Sequence, residues 1–456
     1  VDDEGRFGIN LRAGYSETNI NMGAGSPRLS RKVPVAEALV AMDEHLSDVP
    51  IAWADLWGAL MKNAGLEAIV GCTWMGGVVD LTLGANQLTK KGIDALVKRL
   101  GDKLERLVIG YNKLGGALSK AKFSALEALE IQHCGLKGAD LAKLGNAPMP
   151  KLRRLALDGV GVHLTPERII RANKMADKLP DATYSADELK AFFDTPLAKQ
   201  LTWLSFGQHS FGSEHGAAFG AHLDGLEELY LHNTDLGAEG LTLLAEGAGL
   251  AALRKLEVNN AIAHNYIDGK LQPPSEETAA ALKALANSHL AGTLRALVLD
   301  TNAIGTIGVR ALTSGKINAL DTLSLSRCQL GDEAVAVLAN SNLRAERIGQ
   351  HSNDIHETGV KAIVESELSS SVSNLALHYC PIGDTGLAAI ATAAPSALKR
   401  LSASGSGVTD DGVRALSDSE LVGQLEFLNL SANRISDAGA ELLAGWSKPP
   451  NKLLLF

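Results

Sequence analysis

Apolar residues recur along most of the chain in one short phrase: leucine, two variable residues, leucine, one variable residue, leucine. About thirteen copies lie between Val79 and Phe456, and successive copies begin roughly 22 to 29 residues apart, the spacing of stacked repeats. The end of the phrase alternates apolar and polar residues as a half-buried strand does, and the residues after it have helical spacing. The pattern therefore predicts a strand and then a helix in each copy. Clear copies are Leu104–Ile109, Leu226–Leu231, Leu294–Leu299, Leu320–Leu325 and Leu425–Leu430.

A short polar turn joins each predicted strand to the helix that follows it. In Val408–Gly412 and Ile435–Gly439 the turn carries aspartate, serine or threonine just before the helical spacing begins. Such side chains accept hydrogen bonds from the first free amides of a helix and favour the positive end of its dipole. We expect these turn residues to be structural.

The position three residues after the last leucine of the phrase is usually polar, and we call it the ladder position. Together, the phrase and the ladder position resemble the leucine-rich repeat family over about four-fifths of the chain. The resemblance is to the subclass typified by ribonuclease inhibitor and the Ran GTPase-activating proteins. In that family the ladder side chain bonds the backbone of adjacent turns. The occupants here are Asn86, Asn112, Cys134, Asn302, Cys328, Cys380 and Asn433, with His209, Thr234, His351 and Ser406 as variants.

The resemblance implies an α/β fold, a leucine-rich repeat solenoid of about thirteen repeats. Its implied shape is a horseshoe, with a parallel β-sheet on the concave face and helices on the convex face. It also implies a habit of binding rather than one activity.

Before and within the repeats, several segments depart from the phrase. We predict an extended N-terminal arm at 1–32, a helical N-terminal cap at 33–78 and a repeat domain at 79–456. The cap contains two predicted helices, at 35–46 and 51–66. Two insertions, at 163–200 and 263–277, interrupt the repeats, and Ser185 in the first begins a capping-box pattern. Both a binding role and drift of a tolerated surface loop stay open for them.

Residues between the leucines of the phrase point away from the core and onto the predicted concave face. Exposed aromatic residues are favoured interface anchors, so Trp203, Tyr230 and His232 form the preferred contact patch. An alternative stays open in which Trp203 folds over the insertion that ends just before it. The predicted partner-binding residues are Trp203, Glu228, Tyr230, His232, Lys255, Glu257, Asn259 and Asp300.

The last residues of the chain begin another apolar strand. Because an uncovered apolar edge strand is an aggregation hazard, we predict that this edge meets a partner chain, a second copy or further residues. The predicted edge contacts are Leu453, Leu454, Leu455 and Phe456.

Cysteine and histidine spacing argues against a metal or disulfide site. Three of the four cysteines occupy ladder positions, and their spacing matches neither a CxxC zinc site nor a disulfide framework. We interpret Cys72 as a buried free thiol. Unpaired thiols favour a reducing intracellular compartment, while N-terminal processing before Val1 stays open. The clustered histidines occupy unlike repeat positions, so we expect no shared metal: His209, His215, His222 and His232.

Composition narrows the function classes. Hydrophobic residues make up 46% and charged residues 21%, as in a soluble folded protein, and a net charge of -9 argues against a nucleic-acid partner. The most apolar stretch, 68–81, is shorter than the roughly 20 residues of a membrane span. No GxSxG elbow, Walker loop or Ser-His-Asp order occurs. We therefore expect no enzyme activity and no cofactor.

The favoured hypothesis is a non-catalytic protein–protein interaction or scaffold protein, which could be an accessory subunit in a multi-subunit complex. The concave face and the insertions would bind the partner. Two alternatives stay open: a GTPase activator of the Ran-activating type, which the family resemblance implies, and a bacterial effector that binds a host protein. No arginine here can be matched residue by residue to a catalytic position of the activators.

Overall fold

The computed structural model describes residues 5–11, 35–159, 184–267, 269–446 and 449–455. The chain divides into two compact units. Unit 1 comprises Val1–Ser210 with His222–Leu226, and unit 2 comprises Phe211–Ala221 with Glu227–Phe456. Because each unit has its own internal packing, the two are described separately.

Unit 1 is a parallel sheet whose strands follow one another in chain order, with helical crossovers between them. Its strands are β1 (Phe7–Asn10), β2 (Ile51–Asp55), β3 (Asp80–Thr82), β4 (Arg106–Val108), β5 (Ala128–Glu130), β6 (Arg154–Ala156) and β7 (Trp203–Ser205). Its helices are α1 (Val35–Ala41), α2 (Asp43–Leu46), α3 (Lys62–Val70), α4 (Lys90–Leu100), α5 (Gly138–Leu144), α6 (Ala186–Phe193) and α7 (Pro196–Lys199). Short 3₁₀ helices occupy Trp74–Gly77 and Gly115–Lys120.

Unit 2 repeats the same strand–helix alternation. Its strands are β8 (Glu228–Tyr230), β9 (Lys255–Glu257), β10 (Tyr266–Ile267), β11 (Lys270–Leu271), β12 (Ala296–Val298), β13 (Ala319–Ser324), β14 (Arg344–Gly349), β15 (Asn374–Ala376), β16 (Arg400–Ser402), β17 (Phe427–Asn429) and β18 (Lys452–Leu454). Its helices are α8 (Ser213–Ala221), α9 (Gly237–Glu246), α10 (Glu276–Asn287), α11 (Gly305–Thr313), α12 (Asp332–Ala339), α13 (Glu357–Val364), α14 (Gly383–Ala393), α15 (Asp410–Ser417) and α16 (Asp437–Ala444). Short 3₁₀ helices occupy His289–Gly292, Glu367–Ser370 and Glu420–Gly423.

In each unit the middle leucine of the phrase forms a buried column. In unit 1, Leu81 pairs in register with Leu107, and the column continues along the sheet to Leu204. In unit 2 the column runs from Leu229 to Leu453. Burying each leucine contributes about 1.5–3 kcal/mol, which makes the column the main stabilising element of the stack. The α/β solenoid predicted from the phrase is therefore confirmed.

Ladder side chains bond neighbouring repeats, as predicted. Asn112 donates to the carbonyl groups of Leu83 and Ile109 and accepts from the backbone amide of Leu88. The thiol of Cys134 donates to the same carbonyl of Ile109 at 3.5 Å. Burial raises the pKa of Cys134 to about 12, so the thiol keeps the proton that it donates. Thr234, Ser406 and His209 also bond backbone carbonyl groups from this position.

One ladder assignment is wrong. The ladder residue of the β14 repeat is Asn353, which accepts from the amide of Cys328 and donates to the carbonyl of Leu325. His351 lies two residues earlier and is half-buried. The reason is that buried Gln350 occupies the last leucine position of this repeat, so its phrase was read out of phase.

A second correction concerns the predicted helix at 51–66. Residues Ile51–Asp55 form β2, whose Ala54 pairs with Leu81 and continues the buried column toward β1. The helix begins only at Lys62. Trp53 and Trp57 lie four residues apart, as on one face of a helix. Pairing with two neighbouring strands overrides that spacing, since tertiary context outweighs local propensity.

The predicted insertions are only partly within the described residues. The capping box at Ser185 forms, because its hydroxyl accepts from the amide of Glu188 while the carboxylate of Glu188 accepts from the amide of Ser185. Residues 160–183, and all of the predicted arm except 5–11, lie outside the described residues. The insertion at 263–277 forms the antiparallel hairpin of β10 and β11. None of the helices in the described ranges is long and apolar enough to cross a membrane.

Candidate functional site

Six of the predicted partner-binding residues form one connected group in unit 2. The hydroxyl of Tyr230 donates to Glu228, and the ammonium of Lys255 lies 4.5 Å from the centre of the Tyr230 ring. The same ammonium is 3.5 Å from Glu257. Asn259 then donates to Glu257 and accepts from the backbone amide of Asp300. These contacts link the other five side chains to one another and to the backbone of Asp300.

Lys255 carries the positive charge of this group. Burial by itself would lower its pKa, but the neighbouring Tyr230, Glu257 and Glu228 together raise it. The lysine is therefore protonated at neutral pH and offsets one of the two flanking carboxylates. The surface they form is mixed in charge, with a tyrosine at its centre.

The other two predicted residues are placed differently. Trp203 belongs to unit 1, where it pairs in register with Arg154, and the guanidinium lies 4.6 Å from the ring centre. A cation over an indole face is stabilising, so this contact gives Trp203 a partner within its own unit. His232 belongs to unit 2 and is half-buried, and its buried Nδ1 has no hydrogen-bond partner among the described residues.

The face of unit 1 also contains an ion-pair cluster. Arg106 on β4 bridges Asp80 on β3, at 3.1 Å, and Glu130 on β5, at 2.7 Å. All three side chains are partly shielded from solvent, which limits screening of the pairs. The cluster links three strands, so we assign Arg106, Asp80 and Glu130 a structural role.

Unit 2 contains a pocket of about 510 Å³ that the sequence did not predict. It is built from four consecutive repeats, β12 to β15. Each repeat contributes the two residues that lie between its last leucine position and its ladder residue, and we call these the rim pair. The pocket is lined by the rim pairs Asp300 and Thr301, Ser326 and Arg327, His351 and Ser352, and His378 and Tyr379, together with Ser324.

The second residue of each rim pair has a left-handed backbone. In the pocket, φ is +62° at Thr301, +54° at Arg327, +52° at Ser352 and +55° at Tyr379. Glycine would adopt this conformation freely, whereas other residues pay roughly 1–2 kcal/mol for it. The repeat geometry therefore holds non-glycine side chains at the pocket rim at a cost in stability.

Asp300 closes one side of the pocket and is already partnered. Its Oδ1 accepts from the hydroxyl of Ser324 at 2.7 Å and from the amide of Ser326 at 2.8 Å. Burial raises the pKa of Asp300, and these hydrogen bonds oppose that rise. Asp158 in unit 1 accepts from Ser205 and from the amide of Gly207 in the same manner, so an aspartate here is a structural link between repeats.

The two pocket histidines are neutral at physiological pH. Burial lowers the pKa of His351, and the charge of Arg327 lowers it further. Burial also lowers the pKa of His378, with a smaller contribution from His351. Both histidines line the pocket together with Ser326 and Ser352.

The hairpin of the 263–277 insertion is attached beside this pocket. Asn265 donates to the backbone carbonyl of Arg327 at 2.5 Å, and Gln329 donates both to Asn265 and to the carbonyl of Gln272. Both ends of the insertion are thus fixed to the loop that carries Arg327. The hairpin's large apolar side chains are exposed, at 65% for Tyr266, 53% for Ile267 and 58% for Leu271.

The predicted edge contacts lie on β18, the last strand of unit 2. Leu453 pairs in register with Leu428 of β17, and Leu453, Leu454 and Leu455 are half-buried. Phe456 lies outside the described residues. A partner at this edge stays a prediction.

The clustered histidines have separate roles. His209 bonds the carbonyl of Leu157, His215 stacks on Phe211 with ring centres 4.8 Å apart, and His222 lies 3.4 Å from Asp194. Among the described residues, no group of three or more histidine, cysteine or acidic side chains is arranged to hold a metal ion.

Comparison with known proteins gives consistent similarities. The family model described as "Leucine Rich repeat" matches residues 319–339, 369–391 and 425–444. Ribonuclease inhibitor of Sus scrofa is 31% identical over 212 residues, which span 43% of this chain and 43% of that protein. The chain thus aligns with less than half the length of this relative.

Two solved structures are similar over most of their length. An internalin from Listeria monocytogenes has 17% identity and a TM-score of 0.42, covering 92% of this chain and 94% of that chain. The yeast Rad7 and Elc1 complex has a chain with 14% identity and a TM-score of 0.49, covering 89% of this chain and 86% of that chain. At these values the likenesses carry no information on function.

Proposed function

We propose, from the premise that this chain is a leucine-rich repeat protein of the ribonuclease-inhibitor-like kind, that it is a non-catalytic scaffold that binds a protein partner. The binding surface that we propose lies in unit 2. It consists of the outward-facing residues of β8 and β9, the polar pocket and the β10–β11 hairpin.

The exposed hairpin is the observation that carries this proposal. Among the described residues of unit 2, the exposed large apolar side chains are Tyr266, Ile267, Leu271 and Tyr379. Three of these belong to the hairpin and the fourth lines the pocket. Apolar side chains grouped in this way are costly in water and are typical of a surface that a partner covers.

The adjoining polar group supports the same proposal. Tyr230, Lys255 and Glu257 are ordered by mutual contacts before any partner arrives. A preorganised surface loses less conformational entropy on binding than a mobile one. Apolar anchors beside fixed charges are the usual composition of a specific protein interface.

A capture experiment with two variants tests the proposal. Full-length chain is immobilised and its partners are quantified by mass spectrometry, in parallel with a Tyr266→Ser/Leu271→Ser double variant. The control is Val40→Ser, which removes an exposed apolar side chain, 41% accessible, from α1 of unit 1. We expect a partner that is retained at fixed stoichiometry by the wild type and the control and is lost from the double variant. Equal retention by all three proteins would refute the proposed surface.

The non-catalytic part of the proposal has its own test. The chain is added to a panel of small GTPases loaded with GTP, and phosphate release is measured. We expect no acceleration. Acceleration that depends on the chain would replace the scaffold proposal with the GTPase-activator alternative.

A further inference from the structure

The pocket in unit 2 is lined by an exposed arginine, Arg327, and by Asp300, whose pKa burial raises and the charge of the arginine lowers. Arg327 forms no ion pair within the described ranges, and its backbone is held in a strained left-handed conformation at the rim. Its amide donates to the carbonyl of His351 and its carbonyl accepts from Asn265, so both sides of the residue are fixed. The loop therefore presents an exposed guanidinium at the pocket, where Asp300 opposes its charge without forming an ion pair with it.

We propose that this pocket binds the carboxylate of an acidic partner residue, that Arg327 supplies the charge, and that His351 and His378 strengthen binding as the pH falls. The inference deepens the proposed function by naming the chemistry of the partner. The hydroxyl group of Ser352 supplies a further donor at the pocket, whereas that of Ser324 already donates to Asp300. Arginine suits this role because its planar fork matches the two carboxylate oxygens.

A carboxylate fits the pocket better than a phosphate group does. Asp300 already places one negative charge in the wall, and only one guanidinium opposes it. A dianion would double both the repulsion from Asp300 and the attraction to Arg327, but removing it from water costs more than removing a carboxylate. A hydroxyl group can donate to either anion, so the choice rests on charge.

The charged surroundings of the two histidines determine the direction of the pH effect. Arg327 faces them from the β13 loop and Asp300 from the β12 loop, while Tyr379 lies beside His378. On β14, Arg347 lies on the same strand face, and its guanidinium bonds Thr322 and approaches Glu346 at 3.8 Å. The β16 repeat contributes the uncharged rim pair Ser404 and Gly405.

Acidification therefore adds positive charge where the carboxylate would lie. Both histidines have a pKa below that of a free imidazole, because of burial and then of the neighbouring positive charge. They are neutral at the ordinary histidine pKa of about 6.5 and take up protons as the pH falls through their lowered pKa values. A bound carboxylate would stabilise the protonated form of both histidines and so raise both pKa values. By linkage, protonation of the histidines raises the affinity of the pocket for the carboxylate.

Nuclear magnetic resonance with small probes tests the inference without any partner. Full-length chain labelled at histidine is titrated from pH 7.5 to 5.0, with a blocked tripeptide containing a central glutamate. The matched glutamine tripeptide is the neutral control. An N-terminally blocked peptide with a free C-terminal carboxylate tests whether a chain terminus, rather than a side chain, supplies the carboxylate. Inorganic phosphate tests the dianion. Resonances are assigned with His351→Gln and His378→Gln, and His289, which bonds the carbonyl of Gly249, is the internal reference.

We expect the glutamate peptide to bind with a dissociation constant on the order of 1–10 mM, as a single charged contact provides. Its affinity should rise at least about threefold between pH 7.5 and 5.0, and the peptide should raise the midpoints of His351 and His378 while the resonance of His289 does not respond to the peptide. Arg327→Gln should weaken binding at least about tenfold. The same change at Arg310, an exposed residue of α11 that pairs with Glu333, should have no effect.

Three outcomes would overturn the inference. These are equal binding of the glutamine peptide, unchanged binding by a folded Arg327→Gln variant, and affinity that falls on acidification. Tighter binding of phosphate than of either carboxylate would likewise replace a carboxylate site with a phosphate site. Because the probes are free peptides, failure here leaves the hairpin capture result standing, and failure of capture leaves the pocket result standing.

Discussion

The ring of His351 meets the ring of His378 edge to face, with centres 4.3 Å apart and planes at 71°. The two residues occupy the same rim position in neighbouring repeats, because Ile348 and Leu375 pair in register three residues before them. The repeat therefore places two titratable rings in contact. Each is partly buried, and Arg327 adds positive charge next to His351.

This contact predicts a pH dependence of stability. The folded-state pKa of each histidine is lowered, so its stabilising effect is complete above the unfolded-state pKa of about 6.5 and is lost as the pH falls through the folded-state pKa. We expect the free energy of unfolding to be flat above pH 7 and to decline below pH 6.5. Denaturant titrations at several pH values measure it. The decline should be shallower in His378→Gln, and an identical decline would contradict this assignment.

Gln350 should be replaceable by leucine with a gain in stability. It is fully buried at a leucine position, and neither its side-chain nitrogen nor its side-chain oxygen has a hydrogen-bond partner among the described residues. Since an unsatisfied buried amide costs about 1–3 kcal/mol, we expect Gln350→Leu to raise the free energy of unfolding by about 1–2 kcal/mol. Urea denaturation is the measurement.

The matched control is Gln329→Leu. That glutamine donates to Asn265 and to the carbonyl of Gln272, so its replacement should destabilise the chain and loosen the hairpin. A gain in stability from both substitutions would mean that added apolar volume, rather than the unsatisfied amide, is responsible.

Asn353 should be among the costliest single polar residues to remove from unit 2. Its side chain accepts from the amides of Cys328 and Leu330 and donates to the carbonyls of Leu325 and Gln350. Asn353→Ala removes this partner from the amides of Cys328 and Leu330 and from the carbonyl of Leu325, while the carbonyl of Gln350 keeps the thiol of Cys380. We expect a loss of about 3 kcal/mol in the free energy of unfolding.

Asn340 provides the comparison for that loss. It is exposed and makes one bond to the carbonyl of Ala336, so Asn340→Ala should cost less than about 0.5 kcal/mol. Similar thermal unfolding midpoints for the two variants would show that the ladder contributes little to the stack.

Arg327→Gly should separate stability from binding. Glycine adopts the left-handed backbone at φ +54° freely, which offsets its greater entropy in the unfolded chain. We expect the free energy of unfolding to stay constant or rise by up to about 1 kcal/mol, while carboxylate binding is lost. Calorimetric unfolding measures the first quantity and the peptide titration the second. A marked loss of stability would show that the arginine is retained for the fold.

Local sequence determined the repeat and most of its phase. The leucine spacing predicts the strands, and the ladder position predicts the roles of Asn112, Cys134 and Asn302. These features could be predicted because every repeat meets nearly the same environment, so one short pattern describes all of them. The same phase predicted that Tyr230, Lys255 and Glu257 share a face, as they do.

Contacts between repeats select which side chains from different repeats form a site. Asp300 and Tyr379 are far apart in sequence but line one pocket, because stacking brings the rim pairs of successive repeats together. A single out-of-phase repeat concealed His351, since a buried glutamine replaced the leucine that marks the phase. Strand pairing likewise decided that Ile51–Asp55 is β2 rather than a helix. Local periodicity determines the unit, whereas contacts between units of the repeat determine the surface.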